Sequence, residues 1–145
     1  MQNLVGSEYR PFTVAVERRW IRTFAQAIGD DDPIFRDVDA ARAAGYADVV
    51  APPTFAFTVA MEAAQPLAVI EDLGVDKTRT MHGEQGFRFH RPIVAGDVLT
   101  GRQKVVDMYE RKGGALTFVV TETRLCDQRE LPVCDLRTVI VVRNG

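Results

Sequence analysis

Thr54-Phe55-Ala56-Phe57-Thr58-Val59-Ala60-Met61 decides the fold. As a helix it is apolar on nearly every face, and a helix with no polar face is buried on all sides. Thr54 stands where an N-cap would, just after the rigid pair Pro52-Pro53. The chain beyond residue 80 supplies the cover. Phe87 and Phe89 alternate with Arg88 and His90, the period of a strand with two unlike faces. Val98 to Val106 reads as a second strand and Ala115 to Leu125 as a third, with Gly113-Gly114 turning between them. Leu136 to Val142 is a fourth, preceded by a turn over Gln128 to Pro132. Upstream, Ile21, Phe24, Ala25 and Ile28 fall at the i, i+3, i+4, i+7 spacing of an amphipathic helix that Gly29 stops. Asp37 is placed to cap a short helix from Val38 to Ala44, closed by Gly45. A short strand is expected near Tyr9 to Val16. Helices followed by consecutive antiparallel strands predict an α+β domain, with the sheet curled around the apolar helix.

Length and composition bound what such a domain does. The 145 residues span one domain, residues 1–145, and 46% apolar residues provide a core. That proportion excludes a disordered chain. Eighteen Lys and Arg against 20 Asp and Glu give a net charge of −2, which argues against an electrostatic nucleic-acid binder. No run approaches the ~20 apolar residues of a membrane span. The start, Met1-Gln2-Asn3-Leu4-Val5-Gly6, has neither a basic nor an apolar leader segment, so a cytoplasmic protein is expected. Cys126 and Cys134 flank a turn; two cysteines make neither a disulfide framework nor a CxxC metal site, and free thiols are expected.

The stretch Phe24-Ala25-Gln26-Ala27-Ile28-Gly29-Asp30-Asp31-Asp32-Pro33-Ile34-Phe35-Arg36-Asp37 resembles the hydratase motif of the MaoC-like family, approximately Phe-Ala-x-x-x-Gly-Asp-x-Asn-Pro-Ile-His-x-Asp. Ala40-Ala41-Arg42-Ala43-Ala44-Gly45-Tyr46 and Arg91-Pro92-Ile93-Val94-Ala95-Gly96-Asp97 resemble further family segments. The resemblance implies a hot-dog fold, an antiparallel sheet wrapped around a long central helix. It also implies hydration of trans-2-enoyl thioesters, or dehydration of (R)-3-hydroxyacyl thioesters, carried on coenzyme A or acyl carrier protein. In that chemistry an Asp and a His hold one water while backbone N–H groups polarise the thioester carbonyl. No cofactor or metal is implied.

Two departures fall on the chemistry itself. Asp30 matches the family Asp, but Phe35 stands where the family has His, and a phenyl ring neither accepts nor donates a proton. The family's oxyanion donor is a glycine N–H at the mouth of the central helix. Here the segment reads Ala51-Pro52-Pro53-Thr54, and Pro53, aligned with that glycine, has no N–H. Thr54 is the substitute donor at the helix start. The pattern resembles the accessory subunits of heterodimeric (3R)-hydroxyacyl-ACP dehydratases, and the non-catalytic half of fused double-hot-dog enzymes. The implied partner is a catalytic hot-dog subunit in a heterodimer, or a second copy in a homodimer. Phe35, Pro53, Thr54 and Phe55 are the candidates for contact with an acyl thioester.

Other residues carry paired readings. Asp30, Asp31 and Asp32 form either a solvated turn with Asp32 capping near Pro33, or a cation site; consecutive acids point different ways, which favours the turn. His82 is either a hydrogen-bonded structural histidine or part of a substitute acid/base pair with Glu84, which alternation puts on the same strand face. His90 is expected at the surface or an interface. Arg88, Arg91 and Lys104 are either outward-facing charges or contacts to a phosphate. Phe57 and Met61 belong to the core or to an acyl channel. The competing functions are a self-sufficient homodimeric hydratase using Asp30 with His82 or Glu84, and a non-catalytic acyl-thioester binding module.

Overall fold

The computed structural model describes residues 1–63 and 65–145. Five antiparallel strands form one curled sheet in the order β1-β3-β4-β5-β2: β1 (Phe12–Ala15), β2 (Thr80–Phe89), β3 (Val98–Arg111), β4 (Leu116–Cys126) and β5 (Pro132–Arg143). Four helices, α1 (Arg18–Ala27), α2 (Val38–Ala43), α3 (Phe55–Ala60) and α4 (Ala68–Asp72), lie between β1 and β2 in sequence. No helix among the described residues is long and apolar enough to cross a membrane.

The apolar segment is α3, with Phe55, Ala56 and Val59 buried. From the sheet, Leu99, Leu125, Cys134 and Leu136 close one side of it. From the other side α1 sets Trp20 and Phe24 edge-on against Phe55, with ring centroids 4.6 and 5.5 Å away. The helix is six residues long, short for the hot-dog pattern, and the next helix begins at Ala68. There α4 seals the far end of the sheet, where Val69 and Leu73 pack with Leu4, Val105, Val119 and Val142. Thr54 holds the N-cap position of α3, but its side chain makes no capping bond, because its backbone is already helical (φ −73°, ψ −6°) and not extended as a capping residue requires. Asp37 does cap α2, accepting from the Ala40 N–H at 2.7 Å. The expected stop after α1 is Gly29, at φ +72°.

The strands run past their expected ends. β3 continues to Arg111 because a bulge between Val105 and Asp107 absorbs the twist and keeps the pairing with β4 intact. A second bulge, between His82 and Glu84, has a direct consequence for the candidate site. Alternation put His82 and Glu84 on one face. The extra residue, Gly83, places His82 opposite Ile140 and Glu84 opposite the adjacent Val139, so the two side chains leave opposite faces. Glu84 meets Arg137 at 3.1 Å, and the expected His82–Glu84 pair does not form. Cys126 and Cys134 are both buried free thiols; Cys134 faces Leu125 and Cys126 faces Pro132 in the register, so the thiols are not opposite each other.

Candidate functional site

The acidic run is a turn-building device. Asp30 Oδ1 accepts the Asp32 N–H at 3.2 Å, and Asp32 Oδ1 accepts the Ile34 N–H at 3.1 Å. Pro33 opens the resulting 3-10 turn, Pro33–Phe35, where its missing N–H costs nothing. Asp31 turns outward to Arg36 at 3.0 Å. The three carboxylates thus take three separate partners, and no three His, Cys, Asp or Glu side chains among the described residues cluster as metal ligands would. The turn delivers Phe35, 8% exposed, into a small cluster with Ala25, Ala41 and Val50. The Val50 N–H donates to Ile34 O (3.0 Å) and the Ala51 N–H to Ile93 O (2.8 Å). These bonds tie the turn, the Pro52-Pro53 loop and the end of β2 into a single frame.

That frame encloses a cavity of about 440 Å³. Ile34 and Phe35 form one wall, Val50, Pro52 and Pro53 another, and Phe89 to Ile93 a third. The lining is predominantly apolar, of the size and character that accommodate a small organic ligand. Tyr46, His90 and Arg91 are the ionisable residues along it. Arg91 is committed elsewhere: its guanidinium grips Asp97 through two bonds of 2.9 Å and reaches Asp127 at 3.2 Å. Burial works to raise the Asp127 carboxyl, but the N–H groups of Leu131 and Arg129 and the guanidiniums of Arg91 and Arg129 hold it down at about 2. The Arg-Pro-Ile-Val-Ala-Gly-Asp segment is therefore an ion-paired clamp, and Arg91 is occupied within it. Lys104 lies 3.5 Å from Glu8, and Arg88 is exposed on β2.

His90 Nε2 donates to Asp135 Oδ2 across the β2–β5 pair at 2.9 Å, and Arg124 Nε reaches the other oxygen at 3.2 Å. Burial pushes the Asp135 carboxyl up, yet His90 and Arg124 bring it below its ordinary value. The His90 and Asp135 side chains are 28% and 27% exposed, and His90 lines the cavity at its partly exposed rim with Asp135 behind it.

Phe35 and Pro53, singled out from the sequence, both line the cavity. Four other candidates lie off it. Phe55 is buried behind it in the core, and Thr54 is exposed at the start of α3. Asp30 is half-buried in its turn. His82 sits along β2 with its ring 5.2 Å from Phe57 and Nε2 3.1 Å from Gln85 Oε1, which also accepts from Thr138. Among the other cavity residues, Tyr46 and Phe89 carried no reading as site residues, and His90 was expected only at the surface or an interface. The sequence signal for His90 was its place between a strand end and Arg91-Pro92, where the chain leaves the sheet and crosses the cavity. Its partner Asp135 lies 45 residues away and is visible only through the register.

Residues 3–136 match the family described as "FAS1-like, dehydratase domain region". A UPF0336 protein of Saccharopolyspora erythraea is 44% identical over 147 residues, covering 99% of this chain and 91% of that protein. Among solved structures, the HadBC (3R-hydroxyacyl-ACP dehydratase) complex of Mycobacterium tuberculosis superposes with a TM-score of 0.81 and 29% identity, covering 97% of this chain and 98% of that one. A protein described as a MaoC-like dehydratase superposes with a TM-score of 0.86 and 31% identity, over 97% of this chain and 42% of the other.

Proposed function

The chain belongs to the FAS1-like dehydratase domain-region family, and from that premise we propose that it is one subunit of an (R)-specific enoyl-thioester hydratase or 3-hydroxyacyl-thioester dehydratase. In this reading it binds acyl chains beside a catalytic hot-dog partner. One observation carries the proposal: the cavity has Phe35 and Pro53 in its walls, the positions where the MaoC-like motif has an imidazole and a glycine N–H. What remains is a predominantly apolar surface suited to an acyl chain and missing two chemical groups that hydration requires. The chain brings no cofactor to the reaction in this reading; the acyl group arrives on coenzyme A or acyl carrier protein.

The sheet supports a partner. Among the described residues β2 pairs only with β5, so its ten-residue outer edge presents unpaired backbone groups, with Met81 and Phe89 exposed along it. An open edge of this length is a ready template for pairing with a second chain. The HadBC structure is itself a complex of hot-dog subunits, which supports a heterodimer over a homodimer.

The test follows loss of enoyl absorbance on adding an enoyl-coenzyme A to the protein, alone and mixed with a hot-dog subunit carrying Asn-Pro-x-His. Turnover only in the mixture is expected. Full turnover by the protein alone would overturn the accessory reading and favour an internal site using Asp30 with His82 or Glu84. Binding without turnover under both conditions would leave a binding module.

A further inference from the structure

We infer that His90 anchors the pantetheine arm of the ligand at the cavity rim, a role that rests on reading the cavity as an acyl-thioester site. The ring has two nitrogens with different fates. Nε2 is spent on Asp135, and Arg124 on the neighbouring strand fixes that carboxylate from the other side. Nδ1 has no hydrogen-bond partner among the described residues. With Nε2–H donating to a carboxylate, a neutral ring presents Nδ1 as an acceptor. The arrangement is a histidine that lines a predominantly apolar cavity and is oriented by a carboxylate.

The rest of the lining explains why this one group matters. Arg91 is held by Asp97 and Asp127. Phe35, Pro52, Pro53 and Phe89 grip a hydrocarbon chain without fixing its position along the cavity. Sliding along an apolar wall costs little, so register must come from a polar contact. A pantetheine arm offers amide N–H donors close to the thioester, the chemistry that an accepting Nδ1 recognises. Coenzyme A and acyl carrier protein share that arm, so the contact is indifferent to the carrier. His90 stands at the rim, where the arm of a ligand whose chain lies inside must pass.

The experiment titrates the full-length protein with dodecenoyl-coenzyme A by calorimetry and follows the imidazole NMR resonances. The chain has two histidines, so His82→Gln leaves His90 alone in the spectrum. His90→Ala should weaken binding about tenfold, the scale of one oriented hydrogen bond. Asp135→Asn, which keeps the ring but loosens its orientation, should weaken it by about half as much on a logarithmic scale. The His90 resonances should move on ligand addition, which a purely structural histidine would not show. Phe89→Asp, at a position 47% exposed and so tolerant of the change, should abolish binding by charging the apolar wall. If Phe89→Asp abolishes binding while His90→Ala changes it less than twofold and the ring stays silent, the anchor is overturned and the cavity assignment stands. If the wild type binds nothing, or Phe89→Asp has no effect, the cavity assignment falls and the anchor with it. Repeating the titration with dodecenoyl-acyl carrier protein should give the same His90→Ala loss; a loss confined to one carrier would overturn the assignment to the shared arm.

Discussion

Replacing Arg91 by Met tests whether the Arg91–Asp97 clamp holds the cavity wall. The substitution keeps the aliphatic stem and deletes the guanidinium. Asp97, its side chain 7% exposed, then loses two bonds of 2.9 Å and retains only the Val94 N–H, also at 2.9 Å. Stranding one member of a buried ion pair costs about 3–5 kcal/mol, whereas an exposed pair contributes about 0–1. Arg91 is 30% exposed, so solvent repays part of the loss and the expected cost is about 3 kcal/mol. That corresponds to a fall in Tm of roughly 10 °C for a chain of this size. Urea unfolding followed by fluorescence measures it directly, because the one tryptophan, Trp20, packs against Phe55 in the core. The pairing itself is isolated by adding Asp97→Asn. The double variant should be more stable than the sum of the two single losses predicts, by about 1–3 kcal/mol. Since Arg91, Pro92 and Ile93 line the cavity, dodecenoyl-coenzyme A affinity should fall along with stability. A loss below about 1 kcal/mol for Arg91→Met would refute the reasoning, since that is the signature of a solvated surface pair.

Three further outcomes follow from the core and the charges. Phe55→Ala removes a fully buried ring that touches Trp20 and Phe24, and should cost about 3–5 kcal/mol in the same urea assay, with altered Trp20 emission in the native state. Gly101→Ala places a Cβ 2.1–2.8 Å from the Phe12 ring; the ring must swing out of the way, so a loss of about 1–3 kcal/mol and faster amide exchange in β1 are expected. The hydrogen bond from Arg18 holds Asp48 at about 2, well below its ordinary value. A carboxyl lowered by folding contributes stability above its unfolded pKa, near 4, and that contribution is lost as pH falls from about 4 through 2. The urea midpoint should therefore drop across that window, and Asp48→Asn should flatten the drop.

The parts of the fold legible in the sequence were those set by periodicity. An all-apolar segment had to be central, and alternating segments had to be strands, so the covered helix and the sheet could be read before any contact was known. What escaped were features that depend on where one strand stops counting in twos. Alternation paired His82 with Glu84, but Gly83 inserts an extra residue there. A Cβ at Gly83 would come within 2.6 Å of Val141 Cγ2, a close approach only glycine permits, and a glycine inside a strand was the available warning. Thr54 was legible as the residue at the N-cap position of α3 but not as a failed cap, because capping depends on backbone angles that the residue type does not fix. Arg91 could not be placed for want of its partners: Asp127 lies 36 residues away, brought close only by the folded sheet.

The candidate site turns on what Asp30 is for. Beside a missing imidazole, it reads as half of an acid/base pair. The structure gives it a sufficient occupation without any proton transfer: Asp30 accepts from the Asp32 N–H, Asp32 accepts from the Ile34 N–H, and the turn so closed carries Phe35 into the cavity wall. A carboxylate needed for the turn would stand at this position whatever the neighbouring side chain did, so its presence is no evidence for hydration chemistry. The same turn that would aim a histidine at a thioester here aims a phenyl ring. Pro53 makes the matching change on the opposite wall, removing a donor and adding an apolar surface. In the proposed reading both residues suit the cavity to holding an acyl chain rather than to reacting with a thioester, and they do so from two separate segments of the frame. A damaged enzyme has no reason to lose both groups while keeping the frame tied by the Val50–Ile34 and Ala51–Ile93 hydrogen bonds. An acyl-binding subunit needs that frame and neither group.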